Sequence, residues 1–296
     1  MIKDHSFFIQ GNRTGVLFIH GLTGTPNEMR SIAKPCQQKG YSVLAAQLAG
    51  HCGTMEDLVA TQWEDWYASV CAAADQLKQH TDEIFVVGLS MGSLLALKYA
   101  SEHTVAGVVC YSPTFKFDGW SIPQWSKILA PIVLPVVSHL NIFKDRAFDE
   151  TEPYGIKNVQ LRTRIVEAMK SNDSSKAGLP GNPWHSLYQM QRLSRNVRLS
   201  LSKITAPTLC FHAFNDDIAD KKNSQLIYDK VSGHKQLIWL YESYHMITID
   251  NDRKQVIEES LNFIQRHRQS FSNVNVTQQS STGNSLSFQT QQGELA

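Results

Sequence analysis

The chain has 296 residues, 42% of them hydrophobic and 19% charged, with a formal net charge of +1. That length suits one large α/β domain with an insertion, or two ordinary domains, and either can bury a sizeable core. The near-neutral balance leaves no electrostatic footprint for nucleic acid and implies neither an acidic nor a basic partner.

Taken in chain order, apolar runs alternate with longer stretches of helical periodicity, the pattern of a mostly parallel sheet flanked by helices. The N-terminal "MIKDHSFFIQGNRTG" has no sustained apolar region and no small-residue cleavage site, so secretion through an N-terminal signal is not expected. "GVLFIH" (Gly15 to His20) is the first predicted strand. Thr25, Pro26 and Glu28 then read as a capping box with proline at the first helical position, followed by Met29, Ile32, Ala33 and Cys36 at helical spacing. Pro35 is expected to kink or shorten that helix. "YSVLAAQL" (Tyr41 to Leu48) is the second strand, and Thr61 with Glu64 predicts a capped helix carrying Trp66, Val70, Ala73 and Leu77 on one face. "EIFVVG" (Glu83 to Gly88), "VAGVVCYS" (Val105 to Ser112), "APTLCFHAF" (Ala206 to Phe214) and "KQLIWLYE" (Lys235 to Glu242) complete the predicted strands, and a last helix is expected from about Asp252 to His267.

Between the fourth and fifth of these strands lies a long excursion without a strand pattern, which divides the chain into a core of residues 1–113 and 206–269 and an inserted cap of residues 114–205. The apolar start of the cap, "WSIPQWSKILAPIVLPVVSHL", is broken by Pro123, Pro131 and Pro135, and its uninterrupted part is far short of the roughly 20 residues a membrane span needs. It reads as cap core, as a greasy lip over an acyl pocket, or as both, and Trp120, Trp125 and Trp184 leave room for transient contact with a lipid interface. "SNDSSKAGLPGNPW" (Ser171 to Trp184) reads as a flexible loop. Residues 270–296 are polar and rich in Ser, Gln, Asn and Thr, the composition of a disordered tail. Cys36, Cys52, Cys71, Cys110 and Cys210 form neither a C-x-x-C pair nor a dense framework, and are expected as reduced residues of a cytoplasmic protein.

The chemistry is signalled at strand ends. "VVGLSMGSLL" places Ser90 between Gly88 and Gly92 where a strand gives way to a helix, the G-x-S-x-G pattern that holds a serine out from a sheet on a sharp turn. A serine hydroxyl needs a base to take its proton, and the base needs an acid to fix its tautomer and steady its charge. Downstream, "HAFNDDIAD" puts Asp216 at the C-terminal end of one strand, and "YESYHMITID" puts His245 in the loop before the last helix. Asp217, Asp220 and Asp118 compete with Asp216 for the acid. The Leu22 amide in "HGLTG" (His20 to Gly24) and the Met91 amide at the helix start could form an oxyanion hole. His20 and His51 read as turn residues, His212 as a strand-end residue beside the acid, and His139 and His185 as cap residues. No H-E-x-x-H or paired His/Cys spacing supports a metal.

The order Ser90, Asp216, His245, with "HGLTG", "GLSMGS", "NDDIAD", "YHMITID" and the "TQWEDWY" helix, resembles the α/β-hydrolase superfamily, and within it the bacterial carboxylesterases and monoacylglycerol lipases, over roughly Gly15 to Ile264. The resemblance implies an α/β-hydrolase fold with an inserted cap and a serine esterase that cleaves small acyl esters through an acyl-enzyme and needs no cofactor. It also implies Ser90 as nucleophile, His245 as general base, Asp216 as orienting acid and the Leu22 and Met91 amides as oxyanion donors. Thioester hydrolysis, carbon–carbon bond hydrolysis and a non-catalytic ligand-binding relative remain alternatives on the same scaffold. The chain departs from the family pattern at Ser93, where a second glycine is usual, and at Gly50 to Cys52, "GHC" in place of Gly-His-Gly.

Overall fold

The computed structural model describes residues 2–140, 142, 146–149, 151–169, 178–179 and 181–269. The polar tail expected at 270–296, and residues 171–177 and 180 of the expected loop, lie outside the described residues. Seven strands form one sheet: β1 (Phe7–Ile9), β2 (Thr14–Ile19), β3 (Ser42–Ala46), β4 (Glu83–Leu89), β5 (Gly107–Tyr111), β8 (Thr208–Ala213) and β9 (Lys235–Leu240). Their order across the sheet is β1-β3-β2-β4-β5-β8-β9. β1 runs antiparallel to β3 and every other neighbouring pair is parallel. The six strands read from the apolar runs are all present. β1 was not among them, since it is only three residues long and half-buried.

The alternation within each strand decides which layer it feeds. On β2, Leu17 and Ile19 face one apolar layer while Val16 and Phe18 face the other, and on β4 Ile84 and Val86 oppose Phe85, Val87 and Leu89 in the same way. The first layer is covered by α3 (Trp63–Lys78), α4 (Met91–Glu102), α7 (Trp184–Ser200) and α8 (Lys222–Lys230), and the second by α1 (Arg30–Gln38) and α9 (Arg253–His267). Trp66 is fully buried among the first set, where its Nε1–H donates to Thr61 Oγ1 at 2.8 Å.

Local capping differs from expectation in register. Thr25 does cap a turn, but it accepts from the Asn27 amide at the head of a short 3₁₀ turn, Pro26–Met29, rather than opening an α-helix directly, and the Glu28 carboxylate lies 3.4 Å from the Gly21 amide. α1 follows and runs through Pro35 to Gln38. The cap of α3 is Gln62, whose amide donates to Asp65 at 2.8 Å, one residue beyond the Thr61–Glu64 box, because the Thr61 hydroxyl is committed to Leu58 and Trp66. A second short helix, α2 (Met55–Val59), carries the capping box of Thr54 and Asp57.

Between β5 and β8 the chain passes through α5 (Gln124–His139), β6 (Ala147–Asp149), α6 (Val159–Met169), β7 (Gly181–Pro183) and α7. β6 and β7 form a two-stranded antiparallel ribbon, so the last residues of the expected loop are in fact a strand. The helix α5 is continuous across Pro131 and Pro135, which the sequence had suggested as breaks. Pro131 is exposed and Pro135 half-buried, so water can reach this side of the helix, where the carbonyls left without donors need solvation. The second half of α7, with Met190, Leu193 and Val197, is buried in the main core against the sheet helices.

Candidate active site

Ser90 occupies the corner between β4 and α4 with φ 55° and ψ −114°, a left-handed conformation uncommon for a residue with a side chain. The turn closes because both flanking glycines lack a Cβ: one added at Gly88 would strike the Gly92 carbonyl, and one at Gly92 would strike the Ile19 carbonyl. Ser93 has a use of its own here, donating its hydroxyl to the carbonyls of Gly88 (2.8 Å) and Tyr111 (3.1 Å) and so fastening the first turn of α4 to β4 and β5. The Ser90 hydroxyl donates to Thr114 Oγ1 at 3.1 Å, and Thr114 passes its own proton to the Ser112 carbonyl at 3.0 Å.

Asp216 follows β8 and His245 follows β9, so both arrive at the C-terminal edge of the parallel strands. His245 Nδ1 lies 2.8 Å from Asp216 Oδ2 and 3.1 Å from Oδ1. With Nδ1–H donating to the carboxylate, Nε2 keeps its lone pair. Asp216 Oδ1 also accepts the amides of Ile218 and Ala219, each at 2.8 Å, and the buried His212 Nε2 stands 3.5 Å from Oδ2. Burial alone would push the Asp216 carboxyl up, but the charge and hydrogen bond of His245, then His212 and the Ala219 amide, outweigh it and hold the group below the usual carboxylate value.

The three competing carboxylates go elsewhere. Asp118 Oδ1 accepts the Asp220 amide and the Asn223 side chain, each at 2.9 Å. Asp220 Oδ1 caps its own turn at the Lys222 amide. Asp217 is fully buried and accepts the backbone amide of His245 through Oδ1 at 3.3 Å.

The loop after β2 holds Leu22, whose amide the sequence offers as one of two oxyanion donors. Among the described residues no acceptor takes the amide proton of Leu22 or of Met91; Met91 opens α4, and a Cβ added at Gly21, the residue before Leu22, would lie 3.6 Å from Ser90 Cβ. His20 braces this loop: its Nδ1 donates to the Gly21 carbonyl at 2.9 Å while its Nε2 accepts the Leu48 amide at 3.3 Å. Its ring meets His51 edge-on at 4.9 Å. Burial, with repulsion from His51, drives His20 well below its ordinary value, and burial holds His51 down at about 4, so both rings are neutral at neutral pH. Cys52, at the position where the family pattern has glycine, adopts φ 62°. All five thiols are free.

Sequence reasoning did not single out Thr114 or Ser112, and it weighed Asp217 only as a competitor for the acid. Ser112, itself at φ 42°, donates its hydroxyl to the His245 carbonyl at 2.8 Å, a contact between residues 133 positions apart. Among the described residues no group of three or more His, Cys, Asp or Glu side chains could hold a metal ion, and no helix is long and apolar enough to cross a membrane.

A serine at positive φ on a strand-to-helix corner and an Asp–His pair at neighbouring strand ends stand along one edge of the sheet, with the Leu22 and Met91 amides in the loop after β2 and at the head of α4. A family model described as serine aminopeptidase, S33, matches residues 10–252. The thermostable monoacylglycerol lipase of Bacillus sp. (strain H-257) is 30% identical over 263 residues, 88% of this chain and 94% of the relative. The carboxylesterase of Bacillus subtilis (strain 168) is 28% identical over 268 residues, 90% of this chain and 98% of the relative. A solved structure from work on two metagenome-derived lipolytic enzymes shares 26% identity at a TM-score of 0.73, covering 88% of this chain and 97% of its own. The chain therefore belongs to the α/β-hydrolases, in the family described as serine aminopeptidase, S33.

Proposed function

We propose that this protein is a serine hydrolase of carboxylic esters, of the carboxylesterase or monoacylglycerol lipase type, working through an acyl-enzyme. The observation that carries the reading is the 2.8 Å contact of His245 Nδ1 with Asp216, on the same sheet edge as the left-handed Ser90. Ser90 Oγ attacks the ester carbonyl as its proton passes to His245 Nε2, in place of the contact the hydroxyl makes with Thr114 at rest. The Leu22 and Met91 amides receive the developing oxyanion, and imidazolium at His245 protonates the leaving alcohol. Water then repeats the sequence on the acyl-enzyme. The lipase and carboxylesterase names of two full-length relatives support an ester as the substrate class.

Residues 114–205 act as the cap in this reading, and α5 is its outward lip. Trp125, Ile128, Leu129, Ile132, Val133, Val136 and Leu140 recur at spacings of three and four and are 36 to 69% exposed, while Leu134 and Val137 turn inward. Such a face suits transient contact with the aggregates in which long-chain monoacylglycerols are presented.

Initial rates on aryl esters from acetyl to palmitoyl, with a thioester and an aminoacyl arylamide alongside, test the substrate class. Ester turnover with a chain-length optimum supports the proposal, whereas faster turnover of the thioester or the arylamide replaces it. The lip is tested separately by Trp125→Ser, Ile128→Ser and Ile132→Ser combined. Cosedimentation with phosphatidylcholine vesicles should fall at least about tenfold, because each apolar side chain seated in the interface contributes about 1.5–3 kcal/mol. Turnover of a soluble short-chain ester should stay within about twofold. Unchanged cosedimentation would remove α5 as the contact.

A further inference from the structure

His245 is held by more than its ring. Its amide donates to Asp217 Oδ1 at 3.3 Å and its carbonyl accepts the Ser112 hydroxyl at 2.8 Å, so both backbone groups end on side chains from other strand ends. The second oxygen of Asp217 faces the other way: Oδ2 accepts the amide of Gly155, on the cap segment that leads into α6, at 2.9 Å. The Gly155 carbonyl in turn accepts the Met246 amide at 2.8 Å. The Asp217 carbonyl takes both the amide (3.0 Å) and the hydroxyl (2.7 Å) of Ser121, where the chain enters the cap. One buried residue thus touches the entry of the cap, its return arm and the backbone of the histidine.

A neighbouring carboxylate widens the seam. Asp250 Oδ2 accepts the amides of Lys157 (2.7 Å) and Tyr244 (3.0 Å), and its Oδ1 accepts that of Asn158 (3.0 Å). Residues 155–158 of the cap are thereby stitched to residues 244–250 of the histidine loop. Gly155 fits this seam at φ 72°, with an added Cβ only 3.1 Å from His245 Cβ and 3.0 Å from Met246 Cγ.

A carboxylate suits the Asp217 position because it is an acceptor at both oxygens, and both of its neighbours are N–H donors. Asparagine has to turn its NH₂ toward one of them and leave that amide unpaired in a dry place. Burial, and then the charge of Asp216, push the Asp217 carboxyl above its ordinary value, against the opposing charge of His245 and the amides of Gly155 and His245. Serving only to fill the core, an apolar residue would cost less.

We propose that Asp217 is a positioning residue that couples the seat of the cap's return arm, at Gly155, to the placement of the His245 ring. The proposal rests on the reading of His245 as the general base. Proton transfer needs Nε2 within hydrogen-bond reach of the serine, and a misplacement of about 1 Å can cost on the order of 10² in rate. Lifting Gly155 takes with it the Asp217 and Met246 bonds that flank His245, so an unseated arm gives a slow enzyme that still binds ester.

The test compares purified Asp217→Asn, Gly155→Ala and the double variant with wild type on a soluble aryl ester. Each single variant should lower kcat by about 10- to 100-fold with KM within about threefold. The double variant should be little worse than the poorer single one, because both break the same link. The acid limb of kcat should also move to lower pH in Asp217→Asn, since a negative charge is removed from a site shared by His245, Asp216 and His212. A purely structural role predicts lower unfolding temperatures with kcat and the pH midpoint unmoved, and that result, or losses that multiply in the double variant, overturns the proposal. If Asp217→Asn does not fold, Gly155→Ala alone decides through its split between kcat and KM. Ser90→Ala run in parallel separates the two failures: turnover surviving there removes the general-base reading itself, whereas a dead Ser90→Ala beside a normal Asp217→Asn removes only the coupling.

Discussion

Replacing Ser90 by alanine lowers kcat on a soluble aryl ester by about 10⁵- to 10⁶-fold, to the residual rate that oxyanion donors and binding supply without a nucleophile. The fold should tolerate the change. Ala and Ser bear the same left-handed backbone penalty at φ 55°, and the side chain lost is a half-buried hydroxyl whose partner is Thr114 Oγ1. The Gly88–Gly92 packing and the Ser93 hydrogen bonds that shape the corner are untouched. Unfolding temperature within about 2 °C of wild type, with loss of covalent labelling by a fluorophosphonate, is the expected pair of results. Retention of more than about 1% of wild-type turnover would move the nucleophile elsewhere, and Thr114, the hydroxyl nearest to Ser90 in the hydrogen-bond network, would be the first place to look.

What the sequence displays here is whatever short-range pattern determines. The central strands are continuous apolar runs, because a parallel strand between two helical layers is buried on both faces, and β2, β4 and β5 are wholly buried. Ser90, Asp216 and His245 stand out because each sits at the end of such a run, beside glycines or in a polar loop. Features that depend on a partner far along the chain leave no local trace. β1 is three residues that become a strand only because β3 offers an antiparallel edge. Helix α5 runs through two prolines on a side that water can reach, which composition does not reveal. Ser112 and Asp217 are an ordinary serine and the second of two aspartates until the fold sets them 133 and 28 positions from their His245 contacts. The pair Asp216–Asp217 shows the limit well. Both follow the same strand, and only the closed structure separates the carboxylate that meets the imidazole from the one that meets its backbone.

That distinction has a measurable consequence in Asp216→Asn, which should lower kcat by about 10⁴-fold with little change in KM. The Asn carbonyl oxygen can still accept the Ile218 and Ala219 amides that Oδ1 accepts, so the turn after β8 keeps its shape. What remains toward His245 is an NH₂, a donor facing a donor. The imidazole relieves the clash by carrying its proton on Nε2, the atom that has to accept from Ser90, and the base is lost without the fold being lost. Stability should report the same carboxylate with a defined sign. Burial raises the Asp216 carboxyl, but His245, His212 and the Ala219 amide more than reverse this and leave it depressed. A depressed folded-state value contributes stability that is present above the unfolded carboxylate value of about 3.9 and is lost as pH falls through the lower folded one. Wild type should therefore exceed Asp216→Asn in urea midpoint at pH 7, and the gap should close at about pH 3 or below. A gap that stays constant across that window would mean the carboxylate contributes shape and not charge. If kcat of Asp216→Asn stays within about tenfold of wild type, the imidazole is being oriented by another group, and Asp217, already bonded to the same residue's amide, is the carboxylate placed to do it.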